Sequence, residues 1–302
     1  MKRHSLQPLI DSFELALEAE NKAPRTVGNY LEALSLFCRW LDEQHPGLEP
    51  DEVTATVCRE WIGHLVATRS ASTGRTRWAA LRQFFAWAAA EGEVAVNPME
   101  AVKQPAVIEP DVEVLTNEQI RDLLATCRGQ SLLERRDAAI IMMFIDTGMR
   151  ASALAGAQLP DLDLRARTVV VVEKGRREIV KPFGVTTARA LDRWLRARAR
   201  SPYAEASKAV FVSARDGRAL NRNSVLQMLK RRGREAGIPG LHPHMFRHTF
   251  SDRWLRAGGS EGDLMELNGW TSRDMLGRYA KVTRAERARE AHRRLSPMDN
   301  LE

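Results

Sequence analysis

Four short stretches in the second half of the chain hold residue types that could act together on a phosphate ester. They are Thr147-Gly148-Met149-Arg150, Glu173-Lys174-Gly175-Arg176, His244-Met245-Phe246-Arg247-His248, and Gly269-Trp270-Thr271-Ser272 followed by Arg278-Tyr279. Attack on a phosphodiester loads negative charge onto its non-bridging oxygens. Two arginines can hold those oxygens through bidentate, charge-assisted hydrogen bonds. A tyrosine hydroxyl can be the nucleophile. Free tyrosine ionises near pH ~10, so neighbouring cations and a base must ease its deprotonation. A lysine can protonate the departing 5′ oxygen as a general acid. His and Trp can hydrogen-bond to the phosphate or help move protons. With two fixed guanidinium groups a divalent metal is unnecessary, and the sequence offers no cluster of carboxylates to hold one.

Each stretch alone has a plainer reading. An Arg after Thr-Gly is usually surface charge, and a hairpin lysine is usually solvated. His and Arg three apart on a helix recur by chance. A lone Tyr on a helix is usually core or boundary. Occurring together, and in this order, the four are far more specific.

The elements that must position them are mainly helical. In the first hundred residues, Leu6–Ala19, Val27–Leu41, Val57–Thr68 and Arg77–Ala90 carry apolar residues at helical spacing. Trp40, Trp61, Trp78, Phe84, Phe85 and Trp87 would supply a compact core, and Ser70–Gly74 reads as a loop into the last helix. Lys103–Glu113 holds two prolines without periodicity and reads as a linker between a domain over 1–102 and a second over 114–302. Thr116-Asn117-Glu118-Gln119 has the form of a capping box opening a helix through Leu124. Asp137–Thr147 reads as a buried helix. Arg167–Val172 and Glu178–Phe183 read as a hairpin, with Ala209–Val212 a third short strand. Helices follow at Thr186–Ala199, Ser224–Ala236, Met245–Ala257 and Ser272–Ala280. The fold class is therefore mainly α, with a small antiparallel sheet in the second domain.

Charge points to a polyanion. The chain has 46 basic and 39 acidic residues, a net of +7. Residues 1–110 hold 11 basic against 15 acidic, which leaves 35 against 24 in the remainder. A basic half of that kind suits nucleic acid, although an Arg-rich solvated surface gives the same total. Cys38, Cys58 and Cys127 are few and far apart, which fits a reducing cytoplasm, with neither a disulfide framework nor a zinc spacing. The longest apolar run, Ala138–Ile145, is too short to cross a bilayer, so no membrane partner is expected.

The second domain resembles the catalytic domain of the tyrosine recombinases, or phage integrase family: Arg, hairpin Lys, His-x-x-Arg, His or Trp, then Tyr. The resemblance implies that Arg150 and Arg247 are the two arginines, Lys174 the hairpin lysine and His244 the start of the His-x-x-Arg box. Trp270 takes the His/Trp position, and Tyr279 is the nucleophile forming a 3′-phosphotyrosine. The first hundred residues resemble the family's SAM-like core-binding bundle. The chain resembles the two-domain form without an arm-binding domain. The resemblance further implies double-stranded DNA with inverted-repeat core sites as partner, no cofactor and no metal. It also implies a tetramer on DNA, formed with the help of a tail helix over Ala285–Leu295, and a nucleoid-associated cytoplasmic location. Its net charge favours a free monomer. One departure stands out. The family usually has Glu or Asp three residues after the first arginine, and here that position is Ala153.

Arg176, Arg177 and Lys181 on the hairpin, and Arg75, Arg77 and Arg82 in the first domain, are candidates for DNA backbone contacts; solvated surface is their plain alternative. His248 reads as structural. Two other functions share this signature: type IB topoisomerase-like relaxation, and a DNA-binding accessory protein with a decayed site, for which Ala153 is the only support.

Overall fold

The computed structural model describes residues 5–108, 112–173 and 177–276, together with 288, 289, 292, 293, 295, 296, 298 and 299. The chain divides into two compact units, Met1–Pro110 and Asp111–Glu302.

The first unit is built on four helices, α1 (Gln7–Ala19), α2 (Pro24–Gln44), α3 (Ala55–Thr68) and α4 (Ala71–Ala90). Their apolar stripes bury Phe13, Phe37, Trp61, Phe84 and Phe85 almost completely. Phe13 meets Phe84 edge-on with ring centres 5.5 Å apart, and Phe84 meets Phe85 at 5.0 Å. Such pairs add about 0.5–1.5 kcal/mol each beyond the burial itself. Trp40 and Trp87 lie at the margin of this core rather than within it. The expected loop at Ser70–Gly74 is instead the first turn of α4. Ser70 is its N-cap, with the hydroxyl accepting from Thr73 N at 3.1 Å, so the polar run that looked like a loop satisfies the helix start.

In the second unit, α5 (Asn117–Ala125) opens with the expected capping box. Next come α6 (Leu132–Thr147), α7 (Ala151–Gly156), the strands β1 (Leu162–Asp163), β2 (Thr168–Val172) and β3 (Glu178–Pro182), and then α8 (Val185–Ala199), α9 (Arg222–Glu235), α10 (Pro243–Arg256) and α11 (Glu261–Asn268). Helix α6 runs through the core, burying Ile140, Ile141 and Phe144, and Phe144 stacks on Phe246 of α10 at 5.5 Å. It starts five residues before the expected Asp137, because Ser131 and Glu134 form a second capping box. Asp137 thus lies inside the helix, fully buried. It accepts from Arg136, Arg231 and Arg232, which ties α6 to α9.

The sheet is antiparallel in the order β1-β2-β3, with Val170 opposite Val180. The third strand is not Ala209–Val212. That run makes only isolated bridges, from Ala209 to Gln158 and from Val212 to Ala219. All four of its residues are buried, so its apolar character reflects core packing rather than a pleated surface. The true third strand, β1, is too short to carry an alternating pattern. On the hairpin, Val169, Val171 and Glu173 share the inward face with Ile179, Lys181 and Phe183. Among the described residues, no helix is long and apolar enough to cross a membrane.

Candidate active site

Two helices of the second unit end in the same way, and their ends frame the site. Helix α6 stops at Gly148 (φ 57°) and α11 stops at Gly269 (φ 61°), both left-handed. A side chain at either would also collide. A Cβ on Gly148 would lie 2.5 Å from the Phe250 ring, and one on Gly269 would lie 2.4 Å from Ile179 of β3. The left-handed φ favours glycine at both turns, and at Gly148 the Phe250 ring also leaves no room for a Cβ. The first turn delivers Arg150, which is the N-cap residue of α7. The second delivers Trp270, which packs with Leu255, Leu264 and Leu276.

Helix α10 supplies the third part. His244 and Arg247 are three residues apart and so share one face. Arg247 is buried. It donates to the carbonyl of Gly148 at 2.9 Å and to that of Asn268 at 2.5 Å. Its guanidinium also lies 5.5 Å from the centre of the Trp270 ring. The last carbonyls of a helix carry its partial negative charge, so a buried cation there is stabilised.

A carboxylate joins the two arginines. Glu173, just past β2, accepts from Arg150 Nη1, and its Oε1 lies 3.9 Å from Arg247 Nη1. The Arg150 side chain keeps about a quarter of its surface exposed, whereas that of Glu173 is almost fully buried. Arg150, Arg247, Trp270 and Glu173 thus form one cluster. His244 belongs to it electrostatically and is itself exposed. Desolvation lowers the His244 pKa, and His242, Arg247, Arg150 and Arg222 lower it further.

Lys181 overturns an expectation. Read as a surface contact for DNA, it is completely buried. Its ammonium donates to the carbonyls of Leu267 and Thr147, and it stands 3.9 Å from Glu173 Oε1. Strand parity explains this: position 181 lies on the inward face beside Ile179 and Phe183. Burial first, then the cations Arg247 and Arg150, push its pKa down to about 7, against the opposing pull of Glu173.

The other candidates are dispersed. Arg177 is exposed and pairs with Glu266 at 2.6 Å. In the first unit, Arg75, Arg77 and Arg82 all lie on α4. Arg75 is exposed. Arg77 is tied to Asn29 O at 3.1 Å and Glu32 at 2.9 Å, and Arg82 stacks over Trp78 at 5.2 Å. Lys174, Arg176, Tyr279 and most of the tail segment Ala285–Leu295 lie outside the described residues. The cysteine thiols are buried, and the Cys38 and Cys58 pKa values rise to about 12, mainly through desolvation, which argues against a nucleophilic role. Among the described residues, no group of three or more His, Cys, Asp or Glu side chains could hold a metal ion.

Sequence reasoning missed Glu173 as part of the cluster. Its signal was present, since it continues the inward parity of Val169 and Val171.

Known protein families match both units. The model of the phage integrase family matches residues 113–286, and that of the phage integrase N-terminal SAM-like domain matches residues 10–92. The chain is similar to the tyrosine recombinase XerC of Mycobacterium sp. (strain JLS), with 30% identity over 303 residues, covering 97% of this chain and 99% of the relative. Among solved structures, the Tn1549 transposon integrase in complex with circular intermediate DNA shares the fold, with a TM-score of 0.74 and 21% identity over 94% of this chain and 98% of that one. A lambda integrase tetramer bound to a Holliday junction does so with a TM-score of 0.72 and 16% identity, over 91% and 76%.

Proposed function

The chain belongs to the phage integrase family, and from that premise we propose that it is a site-specific DNA recombinase working through a 3′-phosphotyrosine on Tyr279. The observation that carries the reading is the convergence of Arg150 and Arg247 on one carboxylate, with Trp270 against Arg247. Two guanidinium groups fixed that closely can share the non-bridging oxygens of one phosphate.

Tyr279 Oη attacks the phosphorus, and the bond from phosphorus to the 5′ oxygen breaks. Lys174 gives its proton to that oxygen. His244, whose lowered pKa leaves it neutral near pH 7, can accept the tyrosine proton. Rejoining is the reverse, with the 5′ hydroxyl of the other duplex as nucleophile. No bond energy is lost in the covalent intermediate, so no nucleotide cofactor is needed.

The partner is duplex DNA carrying inverted-repeat core sites. Arg75, Arg82 and Arg177 are the exposed candidates for backbone contacts. The protein acts as a tetramer when two duplexes are exchanged, a reading supported by analogy with the lambda integrase tetramer bound to a Holliday junction, and its net charge of +7 favours a monomer when free.

The test is a plasmid carrying two copies of a site chosen by binding selection. Recombinant joints are the expected product. Relaxation without joints would mean a topoisomerase-like enzyme. Retarded DNA without covalent adducts would mean a binding protein.

A further inference from the structure

We propose that Glu173 is the positioning residue of this site, a buried carboxylate that holds the Arg150 guanidinium in its working orientation and balances Arg247 and Lys181. This rests on the recombinase reading above.

Helix α7 gives Arg150 no acidic partner of its own. It reads Ala-Ser-Ala-Leu-Ala-Gly, and Ala153, one turn past the arginine, is buried and apolar. An arginine with its side chain about a quarter exposed and no fixed acceptor would sample several rotamers. Glu173 supplies the acceptor from another element. The end of β2 brings it in on the inward face, and its backbone N–H donates to Arg177 O at 2.9 Å, closing the hairpin. Its position is therefore set by the sheet and not by its own side-chain freedom.

The charges around it are unusual for a structural ion pair. One carboxylate, its side chain only 2% exposed, faces Arg150, Arg247 and Lys181. Its Oε1 is buried without a hydrogen-bond partner among the described residues, while both nearby cations stand 3.9 Å away. That oxygen thus interacts with Arg247 and Lys181 by charge rather than by close hydrogen bonds, which leaves their donors on the helix-end carbonyls. A bound phosphodiester adds a negative charge beside a carboxylate that is already there. Glu173 should therefore weaken the binding of DNA and still speed its cleavage. A purely structural residue would show no such split.

The experiment uses the full chain with a half-site oligonucleotide and a nicked suicide substrate. It measures Kd and the single-turnover rate of adduct formation for wild type, Glu173→Gln and Lys181→Met. For Glu173→Gln, Kd should be unchanged or tighter, while cleavage slows by between about tenfold and 100-fold, the effect of a misaligned reacting group. Glu173→Gln leaves three cations together, which Lys181 can relieve by giving up its proton. Should that variant not fold, the double variant Glu173→Gln/Lys181→Met removes the charge excess, and it must still cleave more slowly than Lys181→Met alone. Cleavage at the wild-type rate or faster, or equal losses of affinity and rate, would overturn the role of Glu173. Failure of the wild type itself to form an adduct would instead overturn the recombinase reading.

Discussion

Arg247 Nη1 donates to the Gly148 carbonyl at 2.9 Å, while the same guanidinium reaches Asn268 O, so the residue proposed to bind phosphate also ties the ends of α6 and α11 together. Geometry and stability are therefore linked at this position. Arg150, more exposed and bonded to Glu173, carries no such tie between helix ends.

The two arginines should accordingly separate in a stability measurement. Arg247→Ala leaves two buried carbonyls without this donor, and each unsatisfied group costs about 1–3 kcal/mol, so a loss of about 2–6 kcal/mol is expected. Arg150→Ala should lose cleavage with a smaller stability change of about 1–3 kcal/mol, because the buried Glu173 carboxylate loses its hydrogen bond but keeps Arg247 and Lys181 at 3.9 Å. Urea denaturation of both variants checks this. Equal stabilities would mean that Arg247 is not the tie it looks to be.

Tyr279→Phe removes one hydroxyl and little else. Covalent protein–DNA adducts should vanish while half-site binding stays within about twofold, an energy change well under 1 kcal/mol. Denaturing electrophoresis after trapping on a nicked substrate reads the adduct. Adducts that persist would transfer the nucleophile to another residue. The sequence offers only Tyr30 and Tyr203 as other tyrosines.

Much of this was legible in the sequence because local rules and tertiary packing agreed. The Thr116 capping box, the hairpin and the order of the four stretches all follow from residue type and spacing. Strand parity decides the positions that residue type alone does not. Lys181 and Glu173 look like solvated hairpin charges by type, yet both fall on the inward face with Val169, Val171 and Ile179. Glu173 is tolerated there by its surrounding cations and Lys181 by Glu173 and the helix-end carbonyls, a compensation that involves residues 34 and 86 positions away from Lys181. Asp137 escaped for the same reason: the arginines of α9 that neutralise it lie 94 and 95 residues further on. Helices α7 and α11 were missed because they are short, and a six- or eight-residue helix shows little periodicity.

Lys181 should leave a mark on the pH dependence of stability. Its pKa is about 7 in the folded chain, against an ordinary value of 10.5. The groups facing it are Glu173 beyond β2, Arg150 at the start of α7 and Arg247 of α10. Between those two pKa values the unfolded chain binds the extra proton, so its contribution to stability rises with pH across that window, by at most about 1.4 kcal/mol per unit. Below pH 7 both states are protonated, and the burial penalty is present in full. Lys181→Met removes the titrating group. The stability difference, wild type minus variant, should therefore increase from pH 7 to pH 10 and stay flat from pH 5 to pH 6. A difference independent of pH would show that Lys181 keeps an ordinary pKa in the fold.

Lys174 offers the sharpest test of the chemistry, because its proposed role concerns a single proton. It follows Glu173 directly in the sequence. As general acid it would protonate the 5′ oxygen as the bond to phosphorus breaks. Lys174→Ala should slow cleavage of ordinary DNA by about 10²–10⁴-fold, the usual worth of general acid catalysis. A substrate with sulfur in place of the bridging 5′ oxygen departs as a thiolate, which hardly needs a proton. That substrate should restore much of the rate to Lys174→Ala. It should not restore Arg150→Ala, whose lost contribution is to the charge on the non-bridging oxygens and does not depend on the leaving group. Single-turnover cleavage of both substrates by both variants decides the matter. Equal recovery in the two variants, or recovery in neither, would remove Lys174 from the role of proton donor.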